Sequence, residues 1–254
     1  RVDAFPTDHQ RRTVQGVALG DLDRNGFVDV VSVSNVDMPQ ALPLLPNPTA
    51  WDPQTVRHAD VLNPVARFVP SFATTAEGLV WSGVDLLPGS LSVELNGGNS
   101  HRWVEVTARG SVGTTPDGTV NRDGIGAVIT FTPQRKVAGQ GVIDGSTVMT
   151  PVMGGSSLGS QHSLAAEFGL GTSRIGRVEI IWPGGVRNRL YGVRASERIL
   201  LPEIPCSYNA DWSSARQYSA CVARALEDLV EAEVLTRPQS QRLRRSAIRA
   251  FFDR

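Results

Sequence analysis

Apolar and polar positions alternate in short runs along much of the chain. Leu91-Ser-Val-Glu-Leu95, Trp103-Val-Glu-Val-Thr-Ala108, Gly126-Ala-Val-Ile-Thr-Phe-Thr132, Leu164-Ala-Ala-Glu-Phe168, Arg177-Val-Glu-Ile-Ile-Trp182 and Arg198-Ile-Leu-Leu201 each read as a strand. Stretches rich in Gly, Asn and Asp separate them, so residues 89–200 describe a small antiparallel β sandwich or barrel. The period changes after Cys206. Val222, Leu226, Leu229 and Val230 recur at helical spacing within Ser213–Glu233, Arg237-Pro238 breaks the pattern, and Ser240–Phe252 resumes it. Residues 201–254 are therefore a helical pair. The first helix carries Glu227, Asp228, Glu231 and Glu233, and the second carries Arg242, Arg244, Arg245 and Arg249, which suggests mutual pairing across the hairpin.

The N-terminal part is organised differently. Thr13-Val-Gln-Gly-Val-Ala18 and Val30–Val36 read as two strands that frame the loop Asp21-Leu-Asp23-Arg-Asn25-Gly26-Phe27-Val28-Asp29. Residues 38–88 are rich in proline, with Met38-Pro-Gln-Ala-Leu-Pro-Leu-Leu-Pro-Asn-Pro48 too interrupted for a helix or a central strand. An irregular connection is expected there, with Ala66-Arg-Phe-Val69 and Gly78-Leu-Val-Trp81 as its candidate short strands. The expected fold is mainly β: a calcium-loop strand pair over 1–37, the connection, the β domain and the helical pair.

The loop carries the chemistry. Asp21, Asp23, Asn25 and Asp29 put oxygen-bearing side chains at positions one, three, five and nine, Gly26 permits the sharp turn at six, and Phe27 offers a backbone carbonyl at seven. A hard divalent cation such as Ca2+ takes such a set of oxygens. The bidentate Glu of a helix-flanked calcium loop is absent at position twelve, where Ser32 stands, and both flanks are strands. The bland alternative is a polar hairpin loop whose Asp and Asn bond their own backbone.

Composition narrows the picture. The 254 residues carry 25 Lys+Arg and 25 Asp+Glu, so no net field points to nucleic acid or an anionic membrane. No apolar run is long enough for a membrane span, and Arg1-Val-Asp-Ala-Phe-Pro6 is not a signal peptide. The absence of an initiating Met suggests a processed or truncated chain. Cys206 and Cys221 lie outside any metal-binding or redox pattern. In an oxidising compartment they pair, closing a loop of about fifteen residues for roughly 3 kcal/mol in the chain-entropy model; in the cytosol they are free thiols. A disulfide, together with a chain that begins in mid-protein, fits a secreted, periplasmic or cell-surface protein.

Catalytic sets are poorly represented. Gly155-Ser-Ser157-Leu-Gly159 matches G-x-S-x-G, with His162 near it, but its flanks are not the strand and helix that a nucleophile elbow needs. His9, His58, His101 and His162 form no ligand pair, and phosphate-binding glycine loops are missing. Asp117 and Asp123 flank a polar loop without diagnostic metal spacing. An enzyme is the minority reading.

Two groups of residues carry a family resemblance. Gly16-Val-Ala-Leu-Gly-Asp-Leu-Asp-Arg-Asn-Gly-Phe-Val-Asp-Val-Val31 resembles the calcium-bearing core of an FG-GAP (VCBS-type) propeller repeat. Asn99-Ser-His-Arg-Trp-Val104, Asn121-Arg-Asp-Gly-Ile-Gly-Ala-Val128, Gly159-Ser-Gln161, Phe168-Gly-Leu-Gly171 and Val178-Glu-Ile-Ile-Trp-Pro-Gly-Gly185 resemble, in order, an ASPIC/UnbV domain. The pairing is similar to that of the CRTAC family. It implies a β-propeller blade followed by a small β domain outside the cytoplasm, with Ca2+ rigidifying the blade loop. The expected function is a non-catalytic interaction or adhesion module for an extracellular protein or glycan, with other propeller blades supplied elsewhere. The alternative is a scaffold subunit or domain of a larger extracytoplasmic enzyme complex.

Overall fold

The computed structural model describes residues 11–38, 70–75, 78–84, 87–88, 91–156 and 160–254. Their contacts divide into two compact units. The smaller contains β1 (Arg11–Gly20) as far as Leu19, β2 (Asp29–Met38), β3 (Pro70–Thr75), β4 (Gly78–Val84), β5 (Leu87–Pro88) and β6 (Leu91–Glu94). The larger comprises Gly20–Val28, Gly97–Ser156 and Gln161–Arg254.

In the smaller unit, β1, β2 and β5 follow one another in a sheet, and β6 also pairs with β2, antiparallel, from Val30↔Glu94 to Val33↔Leu91. The stretch expected to be irregular holds the β3–β4 hairpin, with Trp81 of β4 opposite Phe72. Ala66–Val69 and the proline-rich run before it lie outside the described residues. β6 does not pair with the strand that follows it, although Asn96-Gly97-Gly98 has the composition of a hairpin turn.

The larger unit is built on two sheets. One has the order β10 (Val148–Pro151), β8 (Val128–Val137), β12 (Ile175–Ile181) and β13 (Arg187–Arg194), with β9 (Gly141–Asp144) also on β8. The other places β7 (Arg102–Arg109) between β11 (Ala166–Gly171) and β14 (Glu197–Pro202). Strict alternation sends Val104, Val106 and Ala108 of β7, Phe168 of β11, Phe131 of β8, and Val178 and Ile180 of β12 into one buried core. Phe131 and Phe168 join the two sheets, their ring centroids 5.6 Å apart. A Cβ on Gly176 would lie 2.2 Å from Cζ of Phe131, so the glycine makes room for that ring.

Two expectations are corrected. No sheet among the described residues closes into a barrel, and the domain is not wholly antiparallel, because β14 runs parallel to β7. The hairpin β12–β13 belongs to one sheet, and the chain crosses to the other before β14 begins. Alternation within a strand says which face is buried, not which way a neighbour runs.

A register shift between β12 and β13 lies opposite Tyr191-Gly192, where Gly192 has φ +62°. The extra residue lets Leu190 and Tyr191 both be buried. Tyr191 thereby meets the last helix: its amide donates to Ser246 Oγ, and the Arg249 guanidinium lies 4.1 Å from its ring centroid.

The helical pair is α1 (Ala215–Glu231) and α2 (Arg237–Phe252). Arg237-Pro238 does not separate the helices; both residues open α2, where proline's missing amide costs nothing. The break falls earlier, at Glu233 with φ +56°, and Thr236 and Gln239 form a capping box. The expected pairing of acidic α1 with basic α2 is also absent: among the described residues no ion pair joins them. Arg242 reaches Glu197 on β14 instead, and Arg249 bonds Asp253 one turn on. The pair is held by apolar contacts, with Tyr218 stacked on Phe251 at 5.0 Å, and by the Tyr218 hydroxyl, which donates to the Ala247 carbonyl at 3.2 Å. Cys206 and Cys221 form a disulfide that ties α1 to the chain leaving β14.

Candidate metal centre

Between β1 and β2 the loop is shaped by its own side chains. Asp21 Oδ2 accepts the Gly26 amide at 2.8 Å, Asp23 Oδ1 the Asn25 amide at 3.0 Å, and Asn25 Oδ1 the Phe27 amide at 2.8 Å. Each turn is closed by one oxygen of a side chain two to five residues back, which curls the backbone around the carboxylates. Arg24 and Gly26 take left-handed φ values of +64° and +93°. Gly26 has a second reason to lack a side chain: a Cβ there would fall 1.9 Å from the indole of Trp103.

Three predicted ligands come together. Asp21, Asp23 and Asp29 each bring a carboxylate oxygen within 4.8 Å of the others. Asp29 is buried, and its Oδ1 accepts the Asn96 amide at 2.7 Å. Asn25 turns its Nδ2 to Asp23 Oδ2 at 3.0 Å, and its Oδ1 accepts the Phe27 amide. Phe27 packs its ring where a Cβ on Gly98 would stand, 2.6 Å away.

Asp21 is the distinctive member. Its side chain is only 1% exposed, and its Oδ1 has no hydrogen-bond partner. Buried carboxylate oxygens are seldom left so, because the lost hydration is not returned. Its Oδ2 is oversupplied by comparison, taking the Gly26 amide and also Nη2 of Arg198 at 2.6 Å. An oxygen stripped of water, beside two further carboxylates, suits a cation that prefers oxygen donors.

Sequence spacing gives no sign of the residues around this carboxylate. Arg198 on β14 stands opposite Glu105 on β7, which stands opposite Glu167 on β11. The three form a row across the three-stranded sheet on the face away from its core. Arg198 Nε donates to Glu105 Oε2 at 3.0 Å, and its guanidinium lies 4.7 Å from the Trp103 ring centroid. Partial burial would lower the guanidinium's pKa, but Asp21 and Glu105 outweigh it and raise it. Glu167 Oε1 accepts the amide of Asp21 at 3.0 Å. The sequence holds only a hint of them: Glu105, Glu167 and Arg198 are charged residues on the polar phase of alternating strands.

Other candidates fare differently. Ser157 lies outside the described residues, and the acidic cluster includes neither Asp117 nor Asp123. Among the described residues no helix is long and apolar enough to cross a membrane.

Glu203, just after β14 and fully buried, belongs to no motif that would have marked it. Its Oε2 accepts the Ser111 amide (3.0 Å), the Ser111 hydroxyl (2.7 Å) and the Val120 amide (3.1 Å), while Oε1 accepts the Thr119 hydroxyl at 3.3 Å. This carboxylate pins the 111–120 loop and has no unused oxygen.

Comparison with known families places an ASPIC and UnbV domain at residues 117–206. The match runs from the loop before β8 to Cys206, so it takes in β8 to β14 and leaves out β7, the strand on which β11 and β14 both pair. Four of the five motifs that carry the resemblance fall inside it; Asn99–Val104 lies just before. The match does not reach Gly16–Val31, where the FG-GAP likeness rests on the residues themselves. No curated protein matches the chain.

Proposed function

We propose that the protein is an extracytoplasmic, calcium-binding interaction module without catalytic activity. Asp21, Asp23, Asn25 and Asp29 would supply side-chain oxygens and Phe27 its carbonyl to one Ca2+ between β1 and β2. The single observation that supports this most is Asp21 Oδ1, buried, unpartnered and set among carboxylates. Bound there, the ion supplies charge neutralisation and a rigid cross-link, with no reaction to perform. The loop's residues do the rest: Asp21 and Asp23 each spend one oxygen on a backbone amide, which fixes where their carboxylates stand.

On this reading the strand pair is a blade-like FG-GAP unit and the site a structural clip. The Cys206–Cys221 disulfide suits a secreted, periplasmic or surface location, and the partner is an extracellular protein, a glycan or further propeller blades. Calorimetric titration of the full chain with Ca2+, paired with thermal melting with and without chelator, tests the metal. Stoichiometric binding and a raised Tm are expected, both lost in Asp23→Ala; no heat and no Tm shift in the unsubstituted protein would end the reading.

A further inference from the structure

A loop that binds a cation by itself needs only its own turns to aim its ligands. Here the first carboxylate is aimed by residues far along the chain. The amide of Asp21 is bonded to Glu167 and its carboxylate to Arg198, partners 146 and 177 positions away. Arg198 is itself fixed by Glu105 and by the face of Trp103, and that indole is also the surface on which Gly26 rests. All of these residues lie in the larger unit.

We propose that Glu167 and Arg198 are positioning residues of the metal site, holding Asp21 at two points so that Oδ1 is presented to the cation before it arrives. The proposal rests on the calcium reading of the loop and adds that the affinity is set by the three-stranded sheet as well as by the loop. Glu167 acts as an acceptor for one amide. Arg198 acts as a fork between Asp21 and Glu105, a geometry that lysine's single ammonium cannot reproduce. Arg198 also places a positive charge beside a site for another cation. Charge alone would make its removal tighten binding; positioning makes its removal weaken binding. The two accounts differ in sign.

Calcium titration of the full chain by calorimetry decides between them, with chelated melts to check folding. Glu167→Ala is expected to weaken binding about tenfold, the scale on which partners of metal ligands act. Glu167→Gln keeps a carbonyl acceptor for the Asp21 amide and should stay within about threefold of the unsubstituted protein. Arg198→Ala should weaken binding about tenfold and Arg198→Lys by an intermediate factor. Tighter binding by Arg198→Ala, equal losses in Glu167→Gln and Glu167→Ala, or variants that shift the metal-free Tm while keeping the dissociation constant would overturn the proposal. If Arg198→Ala does not fold, the Glu167 pair decides alone. If the unsubstituted protein takes up no Ca2+, the reading of the loop falls and this proposal with it; unchanged affinities in variants of a binding protein remove only the positioning role.

Discussion

Two buried acids, Glu203 and Asp21, organise two loops of this protein, and they are completed in different ways. Around Glu203 the 111–120 loop supplies two amides and two hydroxyls, and neither carboxylate oxygen is left without a donor. Around Asp21 one oxygen collects an amide and a guanidinium while the other collects nothing. Both side chains are almost wholly removed from solvent. A buried acid whose acceptors are all used is architecture, because anything added would displace a bond already made. One with a dry, unused oxygen still has an acceptor to satisfy, even where its other oxygen is paired. Acidity and burial are common to both; hydrogen-bond completion separates the candidate ligand from the brace.

The contrast is easiest to break at Glu203. Glu203→Ala strands the Ser111 and Val120 amides in the interior, and a loss of about 4 kcal/mol is expected in denaturant unfolding, the same with and without Ca2+. Next comes metal loading. A free Ca2+ level a hundredfold above the dissociation constant should add about 2.7 kcal/mol, an increment absent from Asp21→Asn, which keeps the size but not the charge of the ligand. Gly26→Ala follows, because φ +93° and the Trp103 indole both oppose a Cβ. It should cost about 2 kcal/mol in chelated protein and abolish calcium uptake.

Glu203→Gln sharpens the comparison further. The Thr119 hydroxyl can reverse and accept from the new amide, so a cost of about 1 kcal/mol is expected, with Ca2+ affinity unchanged. The smallest effect is expected at Glu179, which serves as an acid already paired. Burial pushes its carboxyl up, but Arg189, Tyr208 and Arg187 outweigh burial and hold it below its usual range. Its folded pKa is thus lower than its unfolded one. Its contribution is complete above the ordinary carboxylate range and is lost as pH falls through the folded value. In Glu179→Gln that part of the acid-side fall in stability should disappear, a change on the order of 1 kcal/mol.

Much of this molecule is legible in its local patterns. Alternation in Trp103–Ala108 and Arg177–Trp182 anticipates β7 and β12, and helical spacing of Val222, Leu226 and Leu229 anticipates the buried side of α1. The order of Asp, Asn and Gly in Asp21–Asp29 likewise anticipates a curled loop with its carboxylates together. Each is a local property, because side-chain periodicity and turn closure act over a few residues. Pro238 misleads for a related reason: proline forbids the middle of a helix but suits its first turn, and position within the element decides.

What local pattern could not hold was the partner choice of each element. That β14 lies parallel to β7, that Arg242 bonds Glu197 and not an acid of α1, and that Glu203 closes the 111–120 loop all depend on which strands become neighbours. By itself the sequence determined a loop able to gather oxygens at Asp21, Asp23 and Asp29. The tertiary structure alone decided that Asp21 would be dried, held by Glu167 and Arg198, and left with one oxygen unanswered. Desolvation and long-range hydrogen bonding come from the packed sheet, and no spacing within nine residues encodes them.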